Sequence, residues 1–264
     1  MPGKIISTCI LSVLLCVACR TVPVSQRSQL LLTSEEYENN LGAAAYSEYQ
    51  KEYKRSTNKT YNEALQRVGT AISRVAGKDN YQWEFIVLES NEANAFCLPG
   101  GKVAVYSGIF QFTANEAELA TIVSHEIAHA LARHGGERMS WSQLQQIGAQ
   151  GLRSAGAGSA WETLYGVGTQ LGVMLPFSRK HEHEADSIGL ILMARAGYHP
   201  AAAISFWQKF SSGRNPSRIE QWVSTHPGGA ERIENLQRLQ PQALQEYERC
   251  SQKFGLGKVF PAAK

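Results

Sequence analysis

The sequence predicts an α+β fold that is mostly helical and has a small antiparallel-type sheet. Three observations lead to this prediction. Most segments of the 264-residue chain place apolar residues at helical spacing. Two short segments are instead aromatic and β-branched, which is typical of strands. One helix carries two histidines four residues apart, a spacing that puts both imidazoles on one helical face.

The chain is predicted to have a tether and an amino-terminal helical segment over residues 19–58, followed by one domain over residues 59–264. We expect residues 19–32 to be extended, because they are polar and contain a proline, and residues 33–54 to be helical. The many glycines of residues 148–172 are more typical of a flap or an irregular crossover than of a regular element.

The elements of the domain follow from their periodicity. A helix is predicted over residues 61–76 and another over residues 115–131, where apolar side chains form a stripe. Between them, residues 83–88 and 103–106 have the composition of strands, the second after a Pro-Gly-Gly turn. Further helices are predicted over residues 180–196, 200–211, 229–239 and 241–253.

The composition is that of an ordinary globular protein, with 43% hydrophobic and 19% charged residues. Lys and Arg number 26 against 23 Asp and Glu, and no long basic block occurs. A nucleic-acid partner is therefore not expected, because such partners select for clustered positive charge.

Residues 1–18 resemble the signal peptide of a lipoprotein. Lys4 provides a positive start, and the apolar run over residues 5–17 is shorter than the roughly 20 residues that a transmembrane helix needs. The run ends in the sequence CVAC at residues 16–19, which is similar to a bacterial lipobox. We therefore expect Cys19 to be lipidated; plain signal cleavage that leaves Cys19 as a thiol is the alternative.

The lipid would anchor the protein in a membrane of a Gram-negative bacterium. Residue 20 is Arg rather than Asp, and by resemblance to enterobacterial lipoproteins this implies the outer membrane, with the domain on the periplasmic side. Several acyl chains give stable anchoring, because each buried methylene contributes about 0.8 kcal/mol.

Two cysteines remain once the leader and the lipid-bearing cysteine are set aside. Cys97 and Cys250 are an even pair in a compartment that is oxidising, so we predict that they form a disulfide bond. Two separately buried thiols are the alternative.

The strongest chemical signal is His125-Glu126-Ile127-Ala128-His129 within the helix at residues 115–131. The two imidazoles share a face and can bind one tetrahedral zinc ion, one per chain. Glu126 projects about 100° away, so it can reach a water on that ion and act as general base. A chance match on a polar face is the alternative.

A third protein ligand must come from elsewhere, and KHEHEAD at residues 180–186 contains candidates. Glu182 and Asp186 share a helical face that Gly189 continues, so Glu182 is predicted to bind the metal and Asp186 to accept a hydrogen bond from a ligand imidazole. A solvated charged face is the alternative.

The other ionisable residues nearby are predicted to have no direct role. His181, His183 and Glu184 point to other faces of the helix and are interpreted as bystanders. His134 is turned away from the histidine pair and is interpreted as structural. A metzincin site is excluded, because residue 135 is Gly where that class has its third histidine.

Together these residues resemble the gluzincin metallopeptidases related to the CAAX prenyl proteases. The motifs are His125-Glu126-x-x-His129 and Glu182-x-Glu184-Ala185-Asp186-x-x-Gly189, and the likeness extends from about residue 60 to 240. The periplasmic lipoprotein branch of LoiP and BepA types is the most similar, and the lack of a carboxy-terminal repeat region favours the LoiP type. A zincin-like domain is the implied fold.

The resemblance also implies roles for two later residues. His226 corresponds to a histidine that approaches the metal, as a fourth ligand or as a donor to the transition state. Arg232 corresponds to an arginine of the same site. From the residues alone, His226 could equally belong to the start of a helix, followed by Pro227.

An extended substrate would need an exposed strand edge near the metal. The strand carrying Val103 and Val105 is predicted to provide this edge, with Asn94 and Gly100 bordering the cleft. An ordinary hairpin without this role is the alternative.

The sequence therefore predicts a zinc endopeptidase, and the resemblance implies that its substrates are misfolded or damaged envelope proteins. A latent, metal-binding, chaperone-like lipoprotein is the main alternative, in which His226 or the glycine-rich segment plugs the site. A purely structural lipoprotein is a weaker one.

Overall fold

The computed structural model describes residues 19–22, 25–154, 175–211, 226 and 230–260. The predicted signal peptide and most of the glycine-rich segment lie outside these residues, as do Thr225 and Pro227 beside His226. Within them, no helix is both long and apolar enough to cross a membrane.

The described residues form helices and short strands in the predicted proportion, so the mostly helical α+β class is confirmed. The strands are β1 (Cys19–Thr21), β2 (Ser28–Leu30), β3 (Glu84–Leu88), β4 (Ala95–Leu98) and β5 (Lys102–Tyr106). The α-helices are α1 (Glu35–Glu52), α2 (Lys59–Val75), α3 (Glu116–Leu131), α4 (His134–Ser154), α5 (Leu175–Arg195), α6 (Ala201–Ser211) and α7 (Ala230–Arg249).

The larger sheet has the strand order β3-β5-β4 and is mixed, which corrects the predicted antiparallel-type sheet. β3 pairs with β5 in parallel and β4 pairs with β5 in antiparallel orientation. β4 was not predicted, because this strand is only four residues long and lacks a clear alternation of polar and apolar residues. β5 therefore lies between two strands, and Val103 and Val105 on it are fully buried.

The helix α3 lies in the centre of the domain, packed against α2, α5, α6 and β4. Its amino terminus is capped by Asn115, whose side-chain oxygen accepts a hydrogen bond from the Glu118 amide at 3.1 Å. All of its residues except one are buried, so its two histidines are held by a rigid core element.

Gly189 lets α5 approach α3 closely, as predicted. A Cβ atom at this position would lie 3.0 Å from the backbone nitrogen of His125 and 3.1 Å from its Cα. Any larger residue would push the two helices apart at the level of the histidines.

The amino-terminal residues are not a free tether, which corrects the extended interpretation of residues 19–32. β1 and β2 pair in antiparallel orientation, and Val22 between them is fully buried in the main core. The backbone nitrogen of Leu32 donates to Ser140 Oγ on α4 at 2.8 Å. The segment is thus seated on the domain.

Two helical predictions also change. α7 continues from Ala230 through Pro241 to Arg249, where two helices separated at that proline were expected; the helix tolerates the lost backbone hydrogen bond, as kinked helices do. α4 was not predicted. Its last residues, up to Ser154, lie in the glycine-rich segment 148–172, which was expected to be irregular.

The predicted disulfide bond is wrong. Cys97 and Cys250 are both free thiols, because they belong to different neighbourhoods. Cys97 lies in β4 and packs against the core, whereas Cys250 Sγ donates to the carbonyl oxygens of Arg195 and Gln252, each at 3.2 Å. Burial raises the pKa of the Cys97 thiol well above its usual value, so this cysteine stays protonated and unreactive.

Candidate metal centre

The two histidines of α3 point their Nε2 atoms at one spot. These atoms are 3.1 Å apart, and the His125 side chain is 2% exposed while that of His129 is 13% exposed. One helical turn separates them, as the four-residue spacing requires.

Glu182 of α5 completes this group. Its Oε2 atom lies 3.3 Å from His125 Nε2 and its Oε1 atom lies 3.3 Å from His129 Nε2. A tetrahedral zinc ion with ligand distances of about 2.0–2.1 Å has ligand atoms about 3.3–3.4 Å apart. The three side chains therefore fit a metal of this kind.

His226 is brought to the same group. With His125, His129 and Glu182 it forms a cluster whose potential ligand atoms all lie within 4.8 Å of one another. Its Nε2 atom is also 3.2 Å from Glu126 Oε1. The geometry is compatible with both predicted roles, a fourth ligand or a donor beside the metal.

Glu126 is buried next to the cluster without belonging to it. Burial raises its pKa, but the neighbouring rings of His226, His125 and His129 outweigh burial and hold the pKa below its usual value. Glu126 is therefore an ionised carboxylate at neutral pH, and it can accept a proton at the metal site.

Asp186 supports His125 from behind, as predicted. Its Oδ1 atom lies 3.0 Å from His125 Nδ1, so Nε2 is the nitrogen that faces His129 and Glu182; Arg232 Nη2 also lies 3.1 Å from this Nε2 atom. Arg232 donates from Nε to Asp186 Oδ2 at 2.5 Å and from Nη2 to Glu182 Oε2 at 3.0 Å. The guanidinium also stacks on the ring of Trp207, 3.8 Å from its centre.

Arg232 therefore holds the two carboxylates in place. Its side chain is 1% exposed, and its bonds to Asp186 and Glu182 favour an orienting role over direct contact with substrate. Arg232 was predicted from the family resemblance alone, and Trp207 was not predicted.

Two residues interpreted as bystanders, His181 and Glu184, lie in a buried polar network, which corrects that interpretation. His181 is 1% exposed and lies 3.0 Å from Glu137, and Glu184 lies 2.9 Å from the buried His134. His183 differs, since it is partly exposed and lies beside Glu231 at 3.3 Å. Helical facing excluded these residues as ligands but could not show what would pack on the other faces.

The residues predicted to bind substrate are not part of the metal cluster. Asn94 Oδ1 accepts a hydrogen bond from the Ala95 amide at 2.9 Å, and Gly100 turns the chain with a φ of 83°. Val103 and Val105 lie in the central strand, whose two edges are both paired, so the prediction that this strand offers an exposed edge is wrong.

Metal binding should release a proton. Burial and Arg232 disfavour the charged His125 ring, but Asp186 and Glu182 outweigh them and raise its pKa to about 9. Burial lowers the pKa of His129 to about 4, so that ring is already neutral. A metal must displace the proton on His125, and its apparent affinity should rise as the pH is raised towards about 9.

Calorimetry of zinc binding at pH 7.5, in two buffers of different ionisation enthalpy, measures this release. We expect the buffer to take up about one proton per bound zinc ion. The binding enthalpies in the two buffers should therefore differ by about the difference between the ionisation enthalpies of the buffers. Heats that do not depend on the buffer would contradict the proposed charge on His125.

Comparisons with known proteins agree with this geometry. The family model of Peptidase family M48 matches residues 59–240 of the chain. The chain is 33% identical over 230 residues to the mitochondrial metalloendopeptidase OMA1 of Schizosaccharomyces pombe, covering 84% of this chain and 66% of that protein. The protein of the same name from Saccharomyces cerevisiae is 30% identical over 259 residues, with 90% and 74% covered.

A bacterial relative is similar as well. The β-barrel assembly-enhancing protease of Escherichia coli K12 is 32% identical over 205 residues, which cover 74% of this chain and 42% of that protein. The chain thus spans slightly less than two thirds of the fission-yeast relative and under half of the bacterial one.

Proposed function

The chain belongs to peptidase family M48, and from this premise we propose that it is a zinc-dependent endopeptidase that cleaves unfolded or misfolded proteins. The observation that carries the proposal is the cluster of His125, His129 and Glu182, with ligand atoms 3.1–3.3 Å apart and an ionised glutamate beside it.

Zinc is proposed because two imidazoles and one carboxylate are a donor set that catalytic zinc sites use, with a further position left for water. A zinc ion held by these ligands would polarise the scissile carbonyl and lower the pKa of a bound water to about 7.

The proton would be handled by Glu126. We propose that its carboxylate accepts the proton of the attacking water and then gives it to the leaving amine. His226 Nε2, 3.2 Å from Glu126 Oε1, is placed to donate to the oxyanion of the transition state.

The edge of β4, rather than β5, is proposed to bind the substrate. β4 is the outer strand of the sheet and packs against α3, the helix that carries the histidines. An extended peptide can add to such an edge through backbone hydrogen bonds, with little dependence on its sequence. This mode suits unfolded substrates.

The location is proposed from the sequence. We propose that Cys19 carries the lipid and that the domain faces the periplasm from the outer membrane, as in the LoiP-type branch. Incorporation of labelled palmitate in a Gram-negative host, absent from the Cys19→Ala variant, would support this; no incorporation by the natural sequence would refute it.

A latent peptidase is the second candidate, and one contact favours it. The His226 side chain is 10% exposed and its Nε2 atom lies 3.2 Å from Glu126 Oε1, so the ring covers the general base and lies beside the metal position. The peptidase would then be inactive until His226 moves away.

Cleavage of unfolded casein distinguishes these candidates. The test uses the purified, zinc-loaded protein beside its His226→Ala variant, each with and without a chelator. Zinc-dependent cleavage by the natural sequence supports the active peptidase, and cleavage by His226→Ala alone supports the latent form. If neither protein cleaves casein although zinc is bound, the peptidase proposal fails.

A further inference from the structure

A chain of hydrogen bonds leads away from the metal ligand His129. Its Nδ1 atom lies 2.8 Å from Nδ1 of His134, and Nε2 of His134 lies 2.9 Å from Glu184 Oε2. His134 is fully buried, and Glu184 is 7% exposed. On its Nδ1 side, His125 has the Asp186 carboxylate as a direct neighbour, whereas Nδ1 of His129 is connected to a carboxylate through a second histidine.

The protonation of this chain follows from its geometry. If His129 binds a metal through Nε2, its Nδ1 must carry the hydrogen and donate it. His134 Nδ1 must then accept, so its own hydrogen lies on Nε2 and is donated to Glu184.

Arg27 of the amino-terminal hairpin completes the chain. Its Nη2 atom donates to Glu184 Oε2 at 2.8 Å, and its Nε donates to the same oxygen at 3.0 Å. Its Nη1 and Nη2 atoms also donate to the two oxygens of Glu137, at 2.8 and 2.7 Å. Ser25 donates a further hydrogen bond to Glu184.

Glu137 fixes the same histidine from its other side. It lies 3.0 Å from His181 Nε2, and the His181 ring stacks on His134 with centres 3.9 Å apart and planes 13° apart. Arg27 thus contacts both carboxylates that hold His134 in place. Glu184 holds His134 by a hydrogen bond, and Glu137 holds it through the stacked ring of His181.

Charge explains why this position needs an arginine. Glu137 and Glu184 are 1% and 7% exposed, and two buried carboxylates without a cation would repel each other strongly. The planar guanidinium pairs with both of them at once, which a lysine ammonium cannot do in the same geometry. Arg27 is therefore the cation that offsets the charges of the two carboxylates.

We propose that Arg27 is a positioning residue for the metal centre, which acts through Glu184 and His134 on the orientation and basicity of His129. Arg27 lies outside the residues 59–240 that match the peptidase family, but its bonds to Glu184 connect the amino-terminal hairpin to the site. The proposal rests on the proposed function, since it concerns how the same site holds its zinc.

Zinc affinity tests this proposal in the full-length mature protein. We expect Arg27→Ala to raise the dissociation constant of zinc by about 10–100-fold, the usual effect of losing a partner that orients a metal ligand. Glu184→Gln should have an effect of the same order. Because both act on His129 through one chain, the double variant should raise the dissociation constant, relative to the natural sequence, by less than the product of the two single effects.

The matched control is Arg195→Ala, which removes an arginine that also pairs through two nitrogens with one carboxylate, Glu246, but on the far end of α5. Its zinc affinity should be unchanged. The affinity is measured by competition with a chromophoric chelator, and the melting temperature of each metal-free variant is recorded beside it.

Arg27→Lys decides the question if the alanine variant does not fold. A dissociation constant more than about threefold above that of the natural sequence supports the proposal, since second partners of metal ligands act at this scale or above. Values within about threefold for every folded Arg27 variant would overturn it, as would an equal loss in Arg195→Ala. A natural sequence that binds no zinc would refute the proposed function as well, which keeps the two failures distinguishable.

Discussion

Replacement of Glu126 by Gln is expected to lower kcat for an unfolded protein substrate by about 10²–10⁴-fold, the usual worth of a general base. An amide cannot accept the proton that a carboxylate takes from water. Because Glu126 is not among the residues that cluster around the metal position, the variant should still bind one zinc ion per chain. Turnover of casein and zinc content, measured on the same preparation, check both expectations.

Glu231→Gln is a suitable control for this variant. Glu231 is a glutamate with a side chain 74% exposed that also lies near a histidine, His183, and it should keep full activity. A Glu126→Gln protein that binds zinc and cleaves casein within tenfold of the natural rate would show that another group accepts the proton.

Replacement of Glu182 by Ala is expected to abolish stable zinc binding. It removes one of three protein ligands, so the dissociation constant should rise by more than the 10–100-fold typical of an outer partner. The change also leaves Arg232, 1% exposed, with Asp186 as its remaining carboxylate. Breaking a buried ion pair in this way costs about 3–5 kcal/mol, and thermal unfolding of the metal-free protein should show this loss.

Glu182→Gln separates the two effects, because it keeps a hydrogen-bond acceptor for Arg232 and nearly the same volume. This variant should be closer to the natural sequence in stability but still bind zinc weakly. An alanine variant that retains stoichiometric zinc during dialysis against a chelator would exclude Glu182 as a ligand.

Much of the site could be predicted from helical geometry alone. The spacing of His125 and His129 and the apolar stripe of their helix determine where the imidazoles point. The same periodicity separated Glu182 and Asp186 from their neighbours, and Gly189 indicated the close helix crossing. These inferences succeed because all five residues lie on two regular helices, where distance along the chain translates directly into position.

The rest depended on contacts between distant parts of the chain. Arg27 meets Glu184 across 157 residues, and nothing local in either sequence indicates that they touch. Glu184 and His181 look like a solvated face because their partners come from α4, which was not predicted, and for Glu184 also from the hairpin, which was predicted to be a tether. Polar residues on a helix are bystanders only if no other segment covers them.

The prediction of the sheet was wrong for a related reason. β4 is short, and its pairing with β5 depends on a turn at Gly100 and Gly101, both with positive φ, rather than on a polar-apolar alternation. Because β5 is the central strand, the edge near the metal helix belongs to β4 and not to the strand that carries Val103 and Val105. The predicted disulfide was inferred from cysteine number, which carries no information on the distance between Cys97 and Cys250.

The central claim is that one zinc ion is held by His125, His129 and Glu182 and that Glu126 stands beside it. Diffraction from crystals of the zinc-loaded protein, recorded on both sides of the zinc absorption edge, tests it most directly. We expect one anomalous peak per chain, within about 2.0–2.2 Å of both histidine Nε2 atoms and a Glu182 oxygen, with Glu126 unbound to the ion. A peak coordinated by other residues, or no peak in crystals that contain zinc, would contradict it.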